Sequence, residues 1–295
     1  MARRTLAGMT DDPFVTHRSL LFTVAYEMLG SAADAEDVVQ ETWLRWDSVD
    51  QAQVHDPRAY LVRMVTRQAL NRLRSVSRRR EDYVGEWLPE PLLTTPDVAE
   101  DVELAENVSI AMLTVLETLG PAERAVFVLH EVFETPYPEI AEVVGKTPAA
   151  VRQIAHRARD HVAARRPRMA VDRAEQQAAV EKFMAAVSSG DVRSLAAVLA
   201  PEVVLIADGG GVVAAVRQPV TGAEKVVALL ARVAGNPDFA LSPTWLNGMP
   251  GVRLTVAGAP AAVSVVVEDG LITRIYAVTN PHKLGWLDKV AELSR

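Results

Sequence analysis

The chain has 295 residues, 49% of them hydrophobic and 23% charged, with a formal net charge of −7 and no cysteine. Such a composition is globular; it excludes wholesale disorder, collagen and coiled-coil rods, and the missing thiol excludes disulfides, iron–sulfur clusters, Cys-ligated zinc and a cysteine nucleophile. At roughly 150 residues per domain, the length predicts about two domains.

The charge is unevenly spread. Residues 58–80 hold eight arginines and no acid, 81–145 hold fifteen acids against Arg124 alone, 146–173 hold eight bases and two acids, and 174–295 are near neutral. Two basic islands around an acidic stretch, followed by a neutral half, predict two nucleic-acid contacts and an appended domain. A solvated helix face would also account for one such run, less well for two. The longest apolar stretch, Val256 to Val267, is too short to span a bilayer. Arg3 and Arg4 meet Asp11 and Asp12 before any apolar core forms, so no signal peptide is read. A soluble cytoplasmic protein with no membrane partner is expected.

In chain order, Leu20, Leu21, Val24, Ala25, Met28 and Leu29 recur at helical spacing and Gly30 ends that helix. Ser31 with Asp34 predicts a capping box that opens a second helix carrying Val38, Val39, Thr42, Trp43 and Trp46. Asp56-Pro57 predicts the start of a third helix running to about Arg80. On it Arg63, Arg67, Arg74 and Arg78 share one outward face, opposite Leu61, Val65, Ala69, Leu73 and Val76. Residues 81–105 are acidic and aperiodic and read as a linker, in which the Trp87-Leu88 pair needs cover from water. Beyond Gly120-Pro121, a short helix from Pro138, a turn at Gly145 and a longer helix opened by Thr147-Pro148 form a helix-turn-helix pattern; an αα-hairpin that binds nothing would share it.

From Asp172 the pattern changes. Val180–Val187, Leu195–Leu199 and Ala223–Val233 read as helices, 202–220 as a strand pair around Asp208, and Val252–Ala257, Ala262–Val267 and Leu271–Thr279 as strands. The last two form a hairpin across Glu268-Asp269-Gly270, giving an α+β unit.

Three segments of the first half together resemble the extracytoplasmic-function (ECF) RNA polymerase sigma factors over residues 12–166: Asp34 to Trp43, Arg58-Ala59-Tyr60-Leu61 through Asn71-Arg72-Leu73-Arg74, and Glu139 to Gly145 with Val151 and His156-Arg157-Ala158-Arg159. In the second half and the linker, Trp87-Leu88-Pro89-Glu90-Pro91, Asp208-Gly209-Gly210-Gly211 and Asn280-Pro281-His282-Lys283-Leu284 resemble motifs of the SigJ-like subgroup, which carries a C-terminal SnoaL-like domain. Two positions depart from that pattern: Val212 stands where Lys is usual and His282 where Asp is frequent. The implied fold is multidomain: two all-α sigma domains, a region 2 helical bundle (12–80) and a region 4 helix-turn-helix (106–168), joined by a linker (81–105) and followed by an α+β SnoaL-like cone-shaped domain (172–295).

The resemblance implies sites. Asp37, Gln40, Glu41 and Trp43 would meet the β′ clamp of core RNA polymerase, with region 4 at the β flap. His55, Tyr60, Arg63, Arg67, Asn71, Arg74 and Arg78 would serve the −10 element, the arginines on phosphates and Asn71 and His55 near an extruded base. Lys146, Thr147, Arg152, Gln153, His156, Arg157 and Arg159 would serve the −35 element, since Arg and Gln suit guanine and adenine edges. Trp87, Leu88, Pro89, Glu90, Pro91, Asp208, Gly209, Gly210, Gly211, Asn280, Pro281, Lys283 and Leu284 would form a regulatory interdomain set. Asp208 beside three glycines reads as a turn residue rather than a catalytic acid.

No cofactor or metal is expected: Gly145-Lys146-Thr147 lacks the first glycine of a phosphate loop, and His130-Glu131 does not continue to HExxH. The expected function is promoter-directed initiation, tuned by the C-terminal domain, which would offer an apolar pocket to a small ligand. Two other readings stand beside it: a bifunctional chain whose second half is an isomerase- or cyclase-type enzyme, and a repressor that binds DNA without polymerase.

Overall fold

A computed structural model of the chain describes residues 12–81, 83–166, 173–213 and 215–295, without the side chains of 77–81 and 99. It divides into two compact units. The first holds residues 12–79 with Val115–Arg165 and Glu292–Arg295; the second holds Arg80–Thr114 and Arg166–Ala291. Among the described residues no helix is long and apolar enough to cross a membrane.

The first unit is helical. Its elements are α1 (Pro13–Leu29), α2 (Ala32–Trp46), α3 (Pro57–Glu81), α6 (Pro121–Phe127), α7 (Tyr137–Val144) and α8 (Pro148–Ala163); α4 (Val102–Val108) and α5 (Ile110–Leu116) precede α6 in the chain. The Asp12 carboxylate accepts from the Phe14 amide at 2.9 Å, capping α1, and from the Trp46 indole at 3.1 Å, tying α1 to the end of α2. Gly30, at φ +63°, ends α1 as expected. Ser31 caps α2 by accepting from the Asp34 amide at 3.1 Å, but the Asp34 carboxylate reaches across to Arg72 Nε at 2.8 Å. After α6 the chain widens into a π-turn at Val128–Val132 before the helix-turn-helix of α7 and α8, whose turn residue Gly145 has φ +69°.

Two ionisable side chains meet deep inside this apolar packing. Glu27 on α1 is fully buried, and Arg124 on α6 is 1% exposed. The guanidinium donates through Nε to the Glu27 carbonyl at 2.9 Å and pairs with Glu117. No hydrogen bond reaches either Glu27 carboxylate oxygen. Burial pushes the Glu27 carboxyl up to about 8, with Arg124 pulling the other way.

The second unit is α+β. Helices α9 (Arg173–Ser189), α10 (Val192–Val198) and α11 (Ala223–Ala234) cover one face of a sheet built from β1 (Leu199–Asp208), β2 (Val220–Thr221), β3 (Ala240–Leu246), β4 (Met249–Val256), β5 (Ala259–Glu268) and β6 (Leu271–Val278). Strand order is β2-β1-β6-β5-β4-β3; β1 runs parallel to β6 and every other pair is antiparallel. The predicted strand pair of 202–220 forms, though its second member shrinks to two residues. Asp269-Gly270 makes the expected hairpin turn with both φ positive, and Asn247-Gly248 and Ala257-Gly258 make two more.

The opposite face of the sheet is covered by the linker together with the start of α5 and the C-terminal segment. Leu88, Ile110, Ala111, Leu284 and Leu287 pack on Ala262, Val266, Tyr276 and Val278. Residues read from sequence as an aperiodic tether run extended from 86 to 95 and then form a 3-10 turn (Pro96–Glu100) and α4. Leu93 bridges to Leu246 on the edge strand and to Val290, and Asn247 accepts from Leu92 N at 2.9 Å while donating to the Val108 carbonyl at 2.8 Å. The extended stretch escapes periodicity because its partners lie more than a hundred residues away.

The Glu27 environment sets a pH dependence. Between the ordinary carboxylate range and about 8 the folded chain holds a proton that the unfolded chain has released, so stability falls as pH rises through that window. Glu27→Gln removes the titration. Paired thermal melts should therefore show the variant ahead of the parent at pH 8 and the gap closing toward pH 5. A gap that is constant across pH would mean the carboxyl is ionised throughout.

Candidate functional site

Three surfaces gather the residues singled out in the sequence. The first is α2. Its buried face is Ala35, Val38, Val39, Thr42 and Trp46, which leaves Asp37, Gln40, Glu41 and Trp43 facing water. Trp43 is 44% exposed and the neighbouring Leu44 64% exposed. A bare indole beside a bare leucine, rimmed by acids, is the composition of a protein-binding anchor. Leu44 was not singled out in the sequence, where a leucine beside a tryptophan passes for core.

The second is the basic surface of α3 and α8. Val151, Ile154, Ala155, Ala158 and Val162 bury one side of α8, so Lys146, Thr147, Arg152, Gln153, His156, Arg157 and Arg159 are all exposed at its start and outer face. Thr147 Oγ1 accepts from the Ala150 amide at 3.2 Å as the N-cap. His156 Nδ1 lies 2.8 Å from Asp160, and Arg159 lies 3.6 Å from Glu131.

His55, just before α3, and Asn71 and Arg74 on it lie at exposed positions, and Tyr60 packs its ring 5.9 Å from that of Trp46. Tyr60, Arg63, Arg67 and Asn71, with Arg45 and Gln68, line a cavity of about 320 Å³, large enough for a nucleobase. Arg67 and Arg74 are exposed and Arg63 partly so, and two arginines of this stripe make contacts within the unit. Arg63 pairs with Glu139 on α7 at 3.3 Å, and Arg67 donates to the Glu142 carbonyl at 3.4 Å. Glu139 and the Glu142 carbonyl, both on the first helix of the helix-turn-helix, thus answer the arginines of α3, a pairing that helical periodicity within one helix cannot reveal. Arg78 was expected on the same stripe, and its side chain lies outside the described residues.

The third surface is where the linker meets the ends of β1 and β6. Asp208, fully buried, is its centre. One carboxylate oxygen accepts from Tyr83 Oη at 2.7 Å and from the Gly210 amide at 3.0 Å. The other accepts from the Leu88 amide at 2.8 Å and from Lys283 Nζ at 2.7 Å. Lys283 Nζ also donates to the Leu88 carbonyl at 2.6 Å and sits 3.9 Å from the centroid of the Trp87 ring. Asn280 donates to Tyr83 Oη at 2.8 Å, and its own amide donates to the Asp208 carbonyl at 2.9 Å. Burial, followed by the bond to Asp208, raises the Tyr83 pKa, so this phenol stays a donor.

Asp208 is thus more than a turn residue: it holds the linker. Leu88, Pro89, Glu90 and Pro91 are buried and Trp87 half-buried. The glycines after Asp208 follow from the closeness of this packing. A Cβ on Gly210, already at φ +60°, would lie 2.2 Å from Asn280 Nδ2, and one on Gly209 would lie 2.8 Å from the Ala215 Cβ. Leu284 packs into the linker side of the sheet, whereas Pro281 is exposed. The departing positions Val212 and His282 are both exposed, and the ion pair is made instead by Lys283. Tyr83 and Asn247 were missed; neither carries a local signal, since each acts through a partner more than a hundred residues away.

Inside the second unit, between α9, α11 and the sheet, lies a cavity of about 190 Å³ lined by apolar side chains and Thr279. Asp208 does not line it. Among the described residues, no group of three or more His, Cys, Asp or Glu is placed to hold a metal ion.

Known proteins resemble both halves. The Sigma-70 region 2 profile matches residues 14–79 and the Sigma-70, region 4 profile matches residues 109–162. The chain is 38% identical over 286 residues to the ECF RNA polymerase sigma factor SigJ of Mycobacterium tuberculosis (strain ATCC 25618 / H37Rv), covering 92% of this chain and 91% of that one. It is 35% identical over 272 residues to the probable ECF RNA polymerase sigma factor SigI of the same strain, covering 91% and 92%. The crystal structure of M. tuberculosis SigJ aligns with a TM-score of 0.74 at 36% identity, over 92% of this chain and 96% of that one.

The linker hold has a direct test. Lys283→Met keeps the length of the side chain and leaves the Asp208 charge buried without its cation. It should cost about 3 kcal/mol in urea unfolding and speed chymotryptic cleavage at residues 83–95. Asp208→Asn added to Lys283→Met should recover part of that loss; a strictly additive pair would show that the two side chains are not coupled.

Proposed function

Because this chain belongs to the ECF RNA polymerase sigma factors, we propose that it directs core polymerase to promoters from a closed resting state, with α2 on the β′ clamp and region 4 toward the β flap. Asp37, Gln40, Glu41 and Trp43, with Leu44, make the clamp contact. His55, Tyr60, Arg63, Arg67, Asn71, Arg74 and Arg78 serve the −10 element, the cavity at Tyr60 and Asn71 taking an extruded base. Lys146, Thr147, Arg152, Gln153, His156, Arg157 and Arg159 serve the −35 element. The protein acts in the cytoplasm, where its polymerase is.

The observation that carries the closed state is the contact of α3 with α7. Glu139 stands 3.3 Å from Arg63. The −10 and −35 elements, by their own coordinates, lie about 25 base pairs apart, roughly 85 Å of B-DNA at 3.4 Å per pair. One rigid unit with those two surfaces in contact cannot span both elements. Regions 2 and 4 must part, and Arg63 and Arg67 then exchange protein acceptors for phosphates.

The C-terminal domain and linker tune that opening. The linker joins region 2 to region 4 in the chain, and Asp208, Lys283 and Asn280 hold it folded against the sheet, which limits how far the two regions can separate. The domain works as a regulatory module with a cavity for a small apolar ligand, and the chain as a whole is not an enzyme. The reading as an isomerase or cyclase loses its best acid, since the Asp208 carboxylate is engaged by the linker. The repressor reading leaves the bare Trp43-Leu44 pair without a role.

Two measurements test this. Trp43→Ala should weaken binding to purified core polymerase at least tenfold in size-exclusion titration while leaving the melting temperature within a degree or two; undiminished binding would remove α2 from the interface. Glu139→Ala frees Arg63 and should tighten binding of the free factor to a single-stranded −10 oligonucleotide by up to about fivefold, the size of a half-exposed ion pair. Unchanged affinity would mean the α3–α7 contact does not compete with DNA.

A further inference from the structure

The cavity of the second unit and the linker hold share one piece of chain. Ala207 and Thr279 line the cavity; the next residue after each, Asp208 and Asn280, is a group that grips the linker. The Thr279 hydroxyl donates to the Asp208 carbonyl at 3.1 Å. Ala215 and Val216 also line the cavity, and a Cβ on Gly209 would meet Ala215 at 2.8 Å. On the other side of the same loop, a Cβ on Gly210 would lie 3.0 Å from Tyr83 Oη and one on Gly211 would lie 3.1 Å from the Val84 Cβ. Ala207, Ala215 and Val216 are therefore cavity wall, and Asp208, Gly210 and Gly211 beside them are the linker's seat.

The chemistry of the walls limits the guest. At about 190 Å³ the space exceeds the roughly 150 Å³ apolar cavity that stays dry and takes up benzene, and falls below the ~300 Å³ at which pockets for drug-sized ligands begin. Phe183, Leu229, Phe239, Val252 and Val263 offer dispersion contacts and no hydrogen bond. A charged group entering would give up its hydration for nothing.

We propose that this cavity is a receptor site for a neutral, apolar molecule of one or two rings, and that its occupation tightens the hold of Asp208 and Asn280 on the linker. The proposal rests on the regulatory reading of the C-terminal domain given above. A guest that fits the walls as they stand when the linker is held favours that state, and by linkage the held linker favours the guest by the same factor.

The test uses the full chain with indole and toluene as probes and indole-3-carboxylate as the charged counterpart. Ligand-observed NMR reads binding, and chymotryptic cleavage at residues 83–95 reads release of the linker, because cleavage follows the open population when opening is fast. Both neutral probes should bind saturably and the carboxylate at least tenfold more weakly. Indole should slow cleavage by about fivefold or more. Ala277→Phe, or Leu229→Phe if the first does not fold, fills the cavity and should abolish both binding and the effect of added indole on cleavage. Asp208→Asn should weaken indole binding by the factor by which indole slows cleavage in the parent.

Absence of saturable binding by either neutral probe, or binding that survives a folded cavity-filling variant, overturns the site. So does a carboxylate that binds as well as indole, a comparison that needs no variant. Saturable binding with unchanged or faster cleavage overturns the coupling. The regulatory reading is measured apart from these. Faster cleavage of Asp208→Asn without any probe upholds it whatever indole does, and an unchanged rate sinks it.

Discussion

Asp208 and Lys283 form an ion pair sealed from water, with side-chain exposures of 0% and 8%. Two charges taken out of solvent are stable only when each is met by its opposite and by further donors or acceptors. Here the further groups come from the linker: the Leu88 amide and the Tyr83 hydroxyl on the carboxylate, the Leu88 carbonyl and the Trp87 ring on the ammonium. The linker is therefore a component of the polar site that completes the domain. Remove it and the pair is left buried with half its partners gone, so the domain and the linker order together.

That dependence joins local geometry to the work of a sigma factor. Region 2 and region 4 are separate in the chain and must act at separate DNA elements. Two weak contacts, Arg63 with Glu139 and Arg67 with the Glu142 carbonyl, join α3 to α7. Each is partly exposed and worth at most about 1 kcal/mol. They are suited to exchange for phosphates, whereas the buried pair at Asp208 is suited to hold until a partner or ligand changes its surroundings.

The two kinds of polar contact also differ in what they ask of the sequence. Arg124 and Glu27 sit inside the helical unit with a carboxylate that no donor reaches. Burial keeps that carboxyl protonated near neutrality, so the interior carries one guanidinium with Glu117 as its counter-ion. The arrangement at Asp208 is the reverse, a carboxylate saturated with donors. A buried acid is tolerated by neutralisation in one place and by complete satisfaction in the other.

Much of this was legible from residues alone. Helical spacing located α1, α2, α3 and α8 with their buried faces, proline and glycine located their ends, and alternation with Asp269-Gly270 located the β5–β6 hairpin, because each of these follows from contacts within a few residues. Three segments in order carried the family. The order of charges even placed the arginines of α3 and the acidic stretch that runs into α7. What composition could not decide was that these two sets face each other, that Leu88 and the start of α5 cover one side of a sheet formed more than a hundred residues later, or that Asp208 holds the linker. Tyr83, Asn247 and Lys283 act at sequence separations of 75 to 197 residues. No local pattern encodes such a pairing, since the burial that makes a carboxylate demand partners exists only after the sheet has closed around it.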